Sequence, residues 1–96
     1  MVTRAYVDYI RSARWQKKRQ QVFKHYGKRC YACGKRPKVL HVHHLDYARL
    51  GREQMNDLIP LCVDCHRELT RIYKRNRRRG LRRVTMEYVA AKRKLR

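Results

Sequence analysis

From Thr3 to Tyr26 the chain carries neither Gly nor Pro, and apolar residues return at helical spacing: Tyr6, Tyr9, Ile10 and Ala13, then Trp15, Val22, Phe23 and Tyr26. The stripe shifts near Ser12, so the pattern predicts two helices, the second with Ser12 as N-cap and Gly27 as its stop. The residue three positions after Ser12 is Trp15 rather than Glu, so a full capping box is missing. "CYACGKRP", Cys30 to Pro37, reads as a tight knuckle closed by Gly34 and Pro37. "KVLHVHHL", Lys38 to Leu45, is rich enough in apolar and β-branched residues to form a strand. A polar loop follows from Asp46 to Asn56. "DLIPLC", Asp57 to Cys62, predicts a second short strand in which Pro60 points to an edge or end position. A helix is expected from about Asp64 to Arg75, broken by "RRRG" at Arg77 to Gly80. A last helix should run from Thr85 to Arg96, with Thr85 as its cap. Internal repeats and low-complexity linkers are lacking.

Ninety-six residues suit one domain, here divided into an N-terminal helical region (1–27), a core (28–76) and a basic C-terminal helix (77–96). Such a chain buries too little surface to be comfortable without a staple. Lys and Arg number 27 against 7 Asp and Glu, a formal net charge of +20. That charge repels itself in a compact fold and makes sense mainly with a polyanionic partner, nucleic acid first. A membrane surface is the rival, but no apolar run is long enough to span a bilayer, and the basic segments alternate with tyrosines rather than a greasy stripe. Met1 to Arg11 has no continuous apolar core, so no signal peptide is expected. The expected location is cytoplasmic, where cysteines stay reduced.

Cys30-x-x-Cys33 and Cys62-x-x-Cys65 form two knuckles, each able to present two thiolates to one tetrahedral ion. Four sulfurs close the coordination sphere, so the ion, zinc, would be structural. Disulfides or buried thiols are the alternative.

Three of the five histidines, His41, His43 and His44, stand within four residues, and His66 follows Cys65 directly. On an ideal strand His41 and His43 share one face and His44 takes the other. If the strand curls or ends at His43, both neighbours can reach one pocket. At a helix start His66 lies about 100° round the axis from Cys65, so it can face away from the cysteine site. Five of the seven acids, Asp46, Glu53, Asp57, Asp64 and Glu68, fall between residues 46 and 68, where a divalent cation would need them. His25 and His41 are read as ordinary surface or core residues.

"VHHLDYARLG", "DLIPLC" and "CH" together resemble the HNH endonucleases, in particular the small zinc-ribbon members carried by phages and other mobile elements. "RSARWQKKR" is similar to the helix that introduces their ribbon, and the resemblance runs from about residue 10 to residue 75. It implies a small α+β fold, the ββα-metal (His-Me) finger, with a four-cysteine zinc knuckle and flanking basic helices. By the same resemblance His43 is a metal ligand, His44 the general base, and His66 the closing ligand. The middle Asn departs from the family's pattern: Asp57 stands before "LIPLC" and Asn56 one place early. A carboxylate there could orient the base or ligate the ion, so Asp57 is expected in both the catalytic and the metal set.

The resemblance implies a metal-dependent DNA endonuclease whose products carry 5′-phosphate and 3′-hydroxyl. The divalent ion would be Mg or Mn, with Ni, Co or Zn also compatible with imidazole ligands. Arg14, Lys17, Lys18, Arg71, Arg75 and Arg78, interleaved with Trp15, Tyr26 and Tyr73, suit phosphate tracking more than base reading. The expected substrate is duplex DNA, nicked or branched forms included, acted on by a monomer or homodimer, with a phage terminase as a partner that family context suggests. The competing function is a noncatalytic, zinc-stabilised nucleic-acid-binding protein. Charge and cysteines fit it equally well, but it leaves the histidine set without a purpose.

Overall fold

The computed structural model describes residues 3–96. Helix α1 (Arg4–Ile10) begins at Thr3, whose hydroxyl accepts the Tyr6 amide, and helix α2 (Ala13–Tyr26) begins at Ser12, whose Oγ accepts the Trp15 amide. Ser12 therefore caps without a capping box, and Gly27, at φ +83°, ends α2. Strands β1 (Leu40–His44) and β2 (Leu58–Cys62) pair antiparallel, with Leu40 opposite Cys62 and His44 opposite Leu58. Helix α3 (Val63–Lys74) leaves β2 without a loop, and helix α4 (Leu81–Lys94) returns across α3.

Two antiparallel strands, four helices and a cysteine cluster make a small α+β unit of the ββα-metal kind. In a two-stranded sheet every strand is an edge, which is how Pro60 is accommodated: it lies opposite Val42, fully buried, and its carbonyl accepts the Tyr31 amide from the knuckle. One core gathers Leu40, Ile59, Leu61, Leu69, Val84 and Val89 around the cysteines. A second packs Trp15, Val22 and Leu58 on the opposite face of the hairpin. β1 thus separates two environments, one built by α3 and α4 and one by α1 and α2.

The last helix differs from expectation. It begins four residues earlier, at Leu81, with Gly80 as its N-cap at φ +86°. Thr85 is not a cap: it is fully buried in mid-helix, on the inward stripe formed with Val84, Tyr88 and Val89. No helix among the described residues is long and apolar enough to cross a membrane.

Candidate active site

The two Cys-x-x-Cys turns converge. All four sulfurs lie within 4.8 Å of one another, Cys33 and Cys62 at 3.8 Å. Tetrahedral zinc with bonds of about 2.3 Å needs sulfurs about 3.8 Å apart, so the cluster can hold a structural zinc. Amides of Cys33 and Cys65 point at the sulfurs of Cys30 and Cys62, at 3.5 and 3.3 Å, the turn geometry that favours thiolates. Burial alone would raise the Cys30 thiol, but the backbone donors of Cys33, Cys62 and Ala32 bring it down to about 7; burial pushes Cys62 and Cys65 up. A cation is what would let all four ionise together.

On the α1/α2 side, His44 is buried between two rings: Trp15 stacks at 4.9 Å between centroids and Tyr47 at 5.0 Å. Its Nε2 lies 2.8 Å from a carboxylate oxygen of Glu53, and the other oxygen accepts the Tyr9 hydroxyl at 2.7 Å. Burial would raise the Glu53 carboxyl, yet these two hydrogen bonds together with backbone donors of its own loop outweigh it and hold Glu53 below the usual carboxylate range. An ionised Glu53 accepts from Nε2–H, which leaves Nδ1 as the ring's free lone pair. The Lys18 ammonium donates to the Glu53 carbonyl at 3.0 Å, and Arg14 donates to the Gly51 carbonyl, so both basic residues brace the loop that carries Glu53.

On the opposite side, His41 and His43 both face α3, as the alternation of a strand requires. His41 Nδ1 stands 2.8 Å from His66 Nδ1. The His43 ring is buried, and its Nε2 lies 3.0 Å from the Thr85 hydroxyl on α4. Burial, then the neighbouring His66 and His44, push His43 down to about 3, so it is neutral at physiological pH. Burial and His41 lower His66 as well. A cleft of about 330 Å³ opens along β1, lined by Trp15, Arg19, His41, His44 and His66. His44 and His66 are thereby brought to one opening from opposite faces of the hairpin.

Asp57 sits where the middle Asn was expected but is occupied otherwise. Arg49 grips its carboxylate through Nε and a terminal nitrogen at 2.7 and 2.6 Å, Arg82 adds a contact at 2.8 Å, and the Gln54 amide one at 2.9 Å. A carboxylate offers about four lone-pair sites, and these four donors fill them. It has none left for an ion or for His44. What Asp57 offers the site is its backbone carbonyl, which accepts the Leu45 amide at 2.8 Å and closes the hairpin beside His44. Asn56 is exposed, its carbonyl accepting from Arg82.

The Arg49 hydrogen bond, with Gln54 and Arg82, holds the Asp57 carboxyl well below its ordinary value despite burial. Its folded-state pKa being depressed, its stabilisation is present above the unfolded value of about 3.9 and is lost as pH falls through the folded one. Asp57→Asn keeps one acceptor but forces an amide N–H₂ against donors. We expect it to cost about 1–3 kcal/mol, read as a lower urea midpoint at about pH 7. The gap between variant and parent should narrow progressively as pH falls below about 4. A midpoint unchanged at neutral pH would mean the clamp contributes nothing.

Glu53, Tyr9 and Thr85 are the site residues that sequence reasoning did not single out. Glu53 stood in the acidic stretch but had no mark to set it apart from Asp57. His25 is exposed against Tyr26 and takes no part, as expected, whereas His41 is drawn into the cleft. Arg14, Lys17, Arg71, Arg75 and Arg78 are exposed, and Lys18 is half-buried.

Residues 30–71 match a family model described as HNH endonuclease. Nothing among the curated proteins and nothing among the solved structures matches the chain.

Proposed function

We propose that this chain, whose residues 30–71 form an HNH endonuclease domain, is a metal-dependent DNA endonuclease that hydrolyses phosphodiester bonds with weak sequence preference. The observation that carries the reading is His44: buried between Trp15 and Tyr47, its Nε2 on Glu53, its ring on the cleft that His66 also lines. Charge and a zinc staple suffice for a binding protein and leave a histidine so constrained without a role.

Hydrolysis requires that a water lose a proton as it attacks phosphorus in line with the leaving 3′-oxygen. His44 Nδ1 takes that proton, and the Glu53 carboxylate stabilises the imidazolium that results. Stacking by Trp15 and Tyr47 keeps the ring from turning. His66 would hold the divalent ion together with a histidine of β1; by the family pattern that is His43. Neutral imidazoles suit Mn, Ni, Co or Zn, and waters completing the sphere extend this to Mg. When bound, the ion neutralises charge on the phosphoryl and leaving oxygens. Arg19 on the same cleft can approach a phosphate oxygen.

Arg71, Arg75, Arg78, Arg14 and Lys17 supply affinity for the backbone of duplex DNA. If about six phosphates are neutralised, log affinity falls against log salt with a slope of roughly −5. Fluorescence anisotropy with a labelled duplex across a salt series measures it, and a slope shallower than about −2 would assign the charge to another partner.

The decisive experiment is incubation of the zinc-loaded protein with supercoiled plasmid and Mg, Mn, Ni or Co. Nicked circles that depend on the added ion support the enzyme. Retarded but intact plasmid under every ion would leave a zinc-stabilised nucleic-acid-binding protein. The setting that goes with the nuclease reading is the cytoplasm of a bacterial or phage-infected cell, with a terminase as partner.

A further inference from the structure

The cysteine knuckle carries a basic pocket that lies outside the catalytic cleft. We propose that this pocket, walled by Arg29, Arg93 and Arg96, holds a backbone phosphate of the duplex at a second point, away from the one being cleaved. The proposal rests on the nuclease reading for the identity of the polymer, duplex DNA.

Charge is the first observation. The pocket lies where the end of α2, the knuckle and the end of α4 meet, and Tyr26, Cys30 and Tyr31 complete its lining. Three guanidiniums gather there with no acid to offset them: among the described residues the arginines that meet a carboxylate are Arg49, Arg79, Arg82 and Arg83. The terminus of α4 supplies roughly half a negative charge, too little to balance three. Like charges held together in a concavity repel one another until an anion enters.

The second observation is that the donors are already seated. Arg93 donates from Nε to the Tyr31 carbonyl at 3.1 Å while its guanidinium lies 4.1 Å from the centre of the Tyr31 ring. Its two terminal nitrogens keep their N–H groups for a ligand. Arg96 reaches the carbonyls of Tyr31 and Ala32, both at 3.4 Å, and packs so closely on the turn at Gly34 that a Cβ there would stand 3.0 Å from Nη2. Tyr26 meets Tyr31 edge to face at 5.3 Å, and its hydroxyl is committed to the Met55 carbonyl. The rings are therefore walls and the guanidiniums the donors, a pre-set fork that suits a phosphate better than a flexible ammonium would.

Size and position narrow the ligand. The pocket measures about 160 Å³, against about 330 Å³ for the cleft. Pockets that enclose a whole small ligand run from about 300 to 1,000 Å³, so a phosphate group on a polymer fits and a free nucleotide does not. Arg19 lines the cleft and Tyr26, two turns further along α2, lines the pocket, a separation of about 10 Å at 1.5 Å per residue. Phosphates of one strand advance about 3.4 Å per step, so a single duplex spans both openings.

The test is affinity rather than cleavage. Zinc-saturated full chain, without a second ion, is titrated into a labelled duplex of about two turns, and fluorescence anisotropy is followed across a salt series. Arg29→Ala should weaken binding roughly 10-fold. Arg29→Lys, which keeps the charge and loses the fork, should fall between that variant and wild type. The double variant Arg29→Ala, Arg93→Ala should lower the salt slope by about 1 and no more, because both arginines hold one phosphate. Arg36→Ala and Lys94→Ala remove exposed charges from the same knuckle and helix but outside the pocket, and should stay within about 2-fold of wild type. Equal losses for Arg29→Ala, Arg36→Ala and Lys94→Ala would overturn the proposal, the charge then acting as a diffuse field; so would wild-type affinity in Arg29→Ala. Arg93 also braces the knuckle, so zinc content and circular dichroism are matched, and Arg29→Ala alone decides where the double variant loses zinc. Undiminished affinity of Arg29→Ala, in a protein whose wild type nicks plasmid, removes the pocket and keeps the nuclease reading; the 10-fold loss in a protein that nicks under no ion does the reverse.

Discussion

Cys65→Ser should leave the chain largely unfolded at about 25 °C, and a strong chelator should do the same to the wild type. The cysteines are not an appendage to the fold. Cys30, Cys62 and Cys65 are buried members of the main core, where they pack with Leu40, Leu61, Leu69, Val84 and Val89. Cys62 ends β2, caps α3 through its sulfur, and stands opposite Leu40 of β1. Zinc at this point would tie the knuckle, the hairpin and the third helix together with one ion. Structural zinc binding contributes on the order of 10–16 kcal/mol in small domains, whereas a whole domain is stable by only about 5–15 kcal/mol. A net charge of +20 opposes compaction throughout. Removing one thiolate weakens the site by several kcal/mol and introduces a buried hydroxyl, which is more than so small a core can lose. Thermal melts followed by circular dichroism, with zinc content measured on the same samples, provide the check. A Cys65→Ser protein that binds no zinc yet melts cooperatively within a few degrees of wild type would show that the apolar core suffices alone.

Features written in a few neighbouring residues were legible before the structure. The Cys-x-x-Cys turns are local, and so are the cap at Ser12 and the stop at Gly27; each is a backbone requirement met by one side chain. The hairpin could be read too, because the alternation of "LHVHH" and the apolar run "LIPLC" declare strands with different burial. Legibility ended where one residue's role is set by a distant partner. Asp57 invited a catalytic role by its place before β2, but Arg49 and Arg82, 8 and 25 positions away, fill its carboxylate. Glu53 gained the contact with His44 that had been expected of Asp57, because the loop folds back over nine residues and α1 delivers Tyr9 to the other oxygen. Thr85 looks like a cap, since Ser and Thr favour that position and arginines precede it. The inward stripe Val84, Tyr88, Val89 shows why the helix had to begin earlier. His41 looked ordinary on the strand alone and acquires meaning only when α3 sets His66 against it.

His44→Ala should reduce nicking by roughly 10²–10⁴-fold, the range that a positioned general base contributes, while duplex affinity stays within about 2-fold, since no phosphate-tracking charge is removed. On the nuclease reading the loss should fall on turnover rather than on KM, because a general base meets the attacking water only as the proton moves. Alanine leaves a ring-sized gap between Trp15 and Tyr47, so added imidazole should stack there and restore part of the rate. Glu53→Gln separates positioning from charge. The amide oxygen can still accept from Nε2–H and hold the tautomer, but it no longer offsets the positive charge that develops on His44. We therefore expect an intermediate loss of about 10–100-fold, again in turnover, with Glu53→Asp falling between Gln and wild type. A purely structural role for Glu53 predicts something else: loss of stability in proportion to loss of activity, and no dependence on whether the substitute carries charge. Measured on protein matched for zinc content and ellipticity, the ordering wild type, Glu53→Asp, Glu53→Gln, His44→Ala in kcat would place the carboxylate behind the base. Equal rates for Glu53→Gln and wild type would leave His44 acting alone.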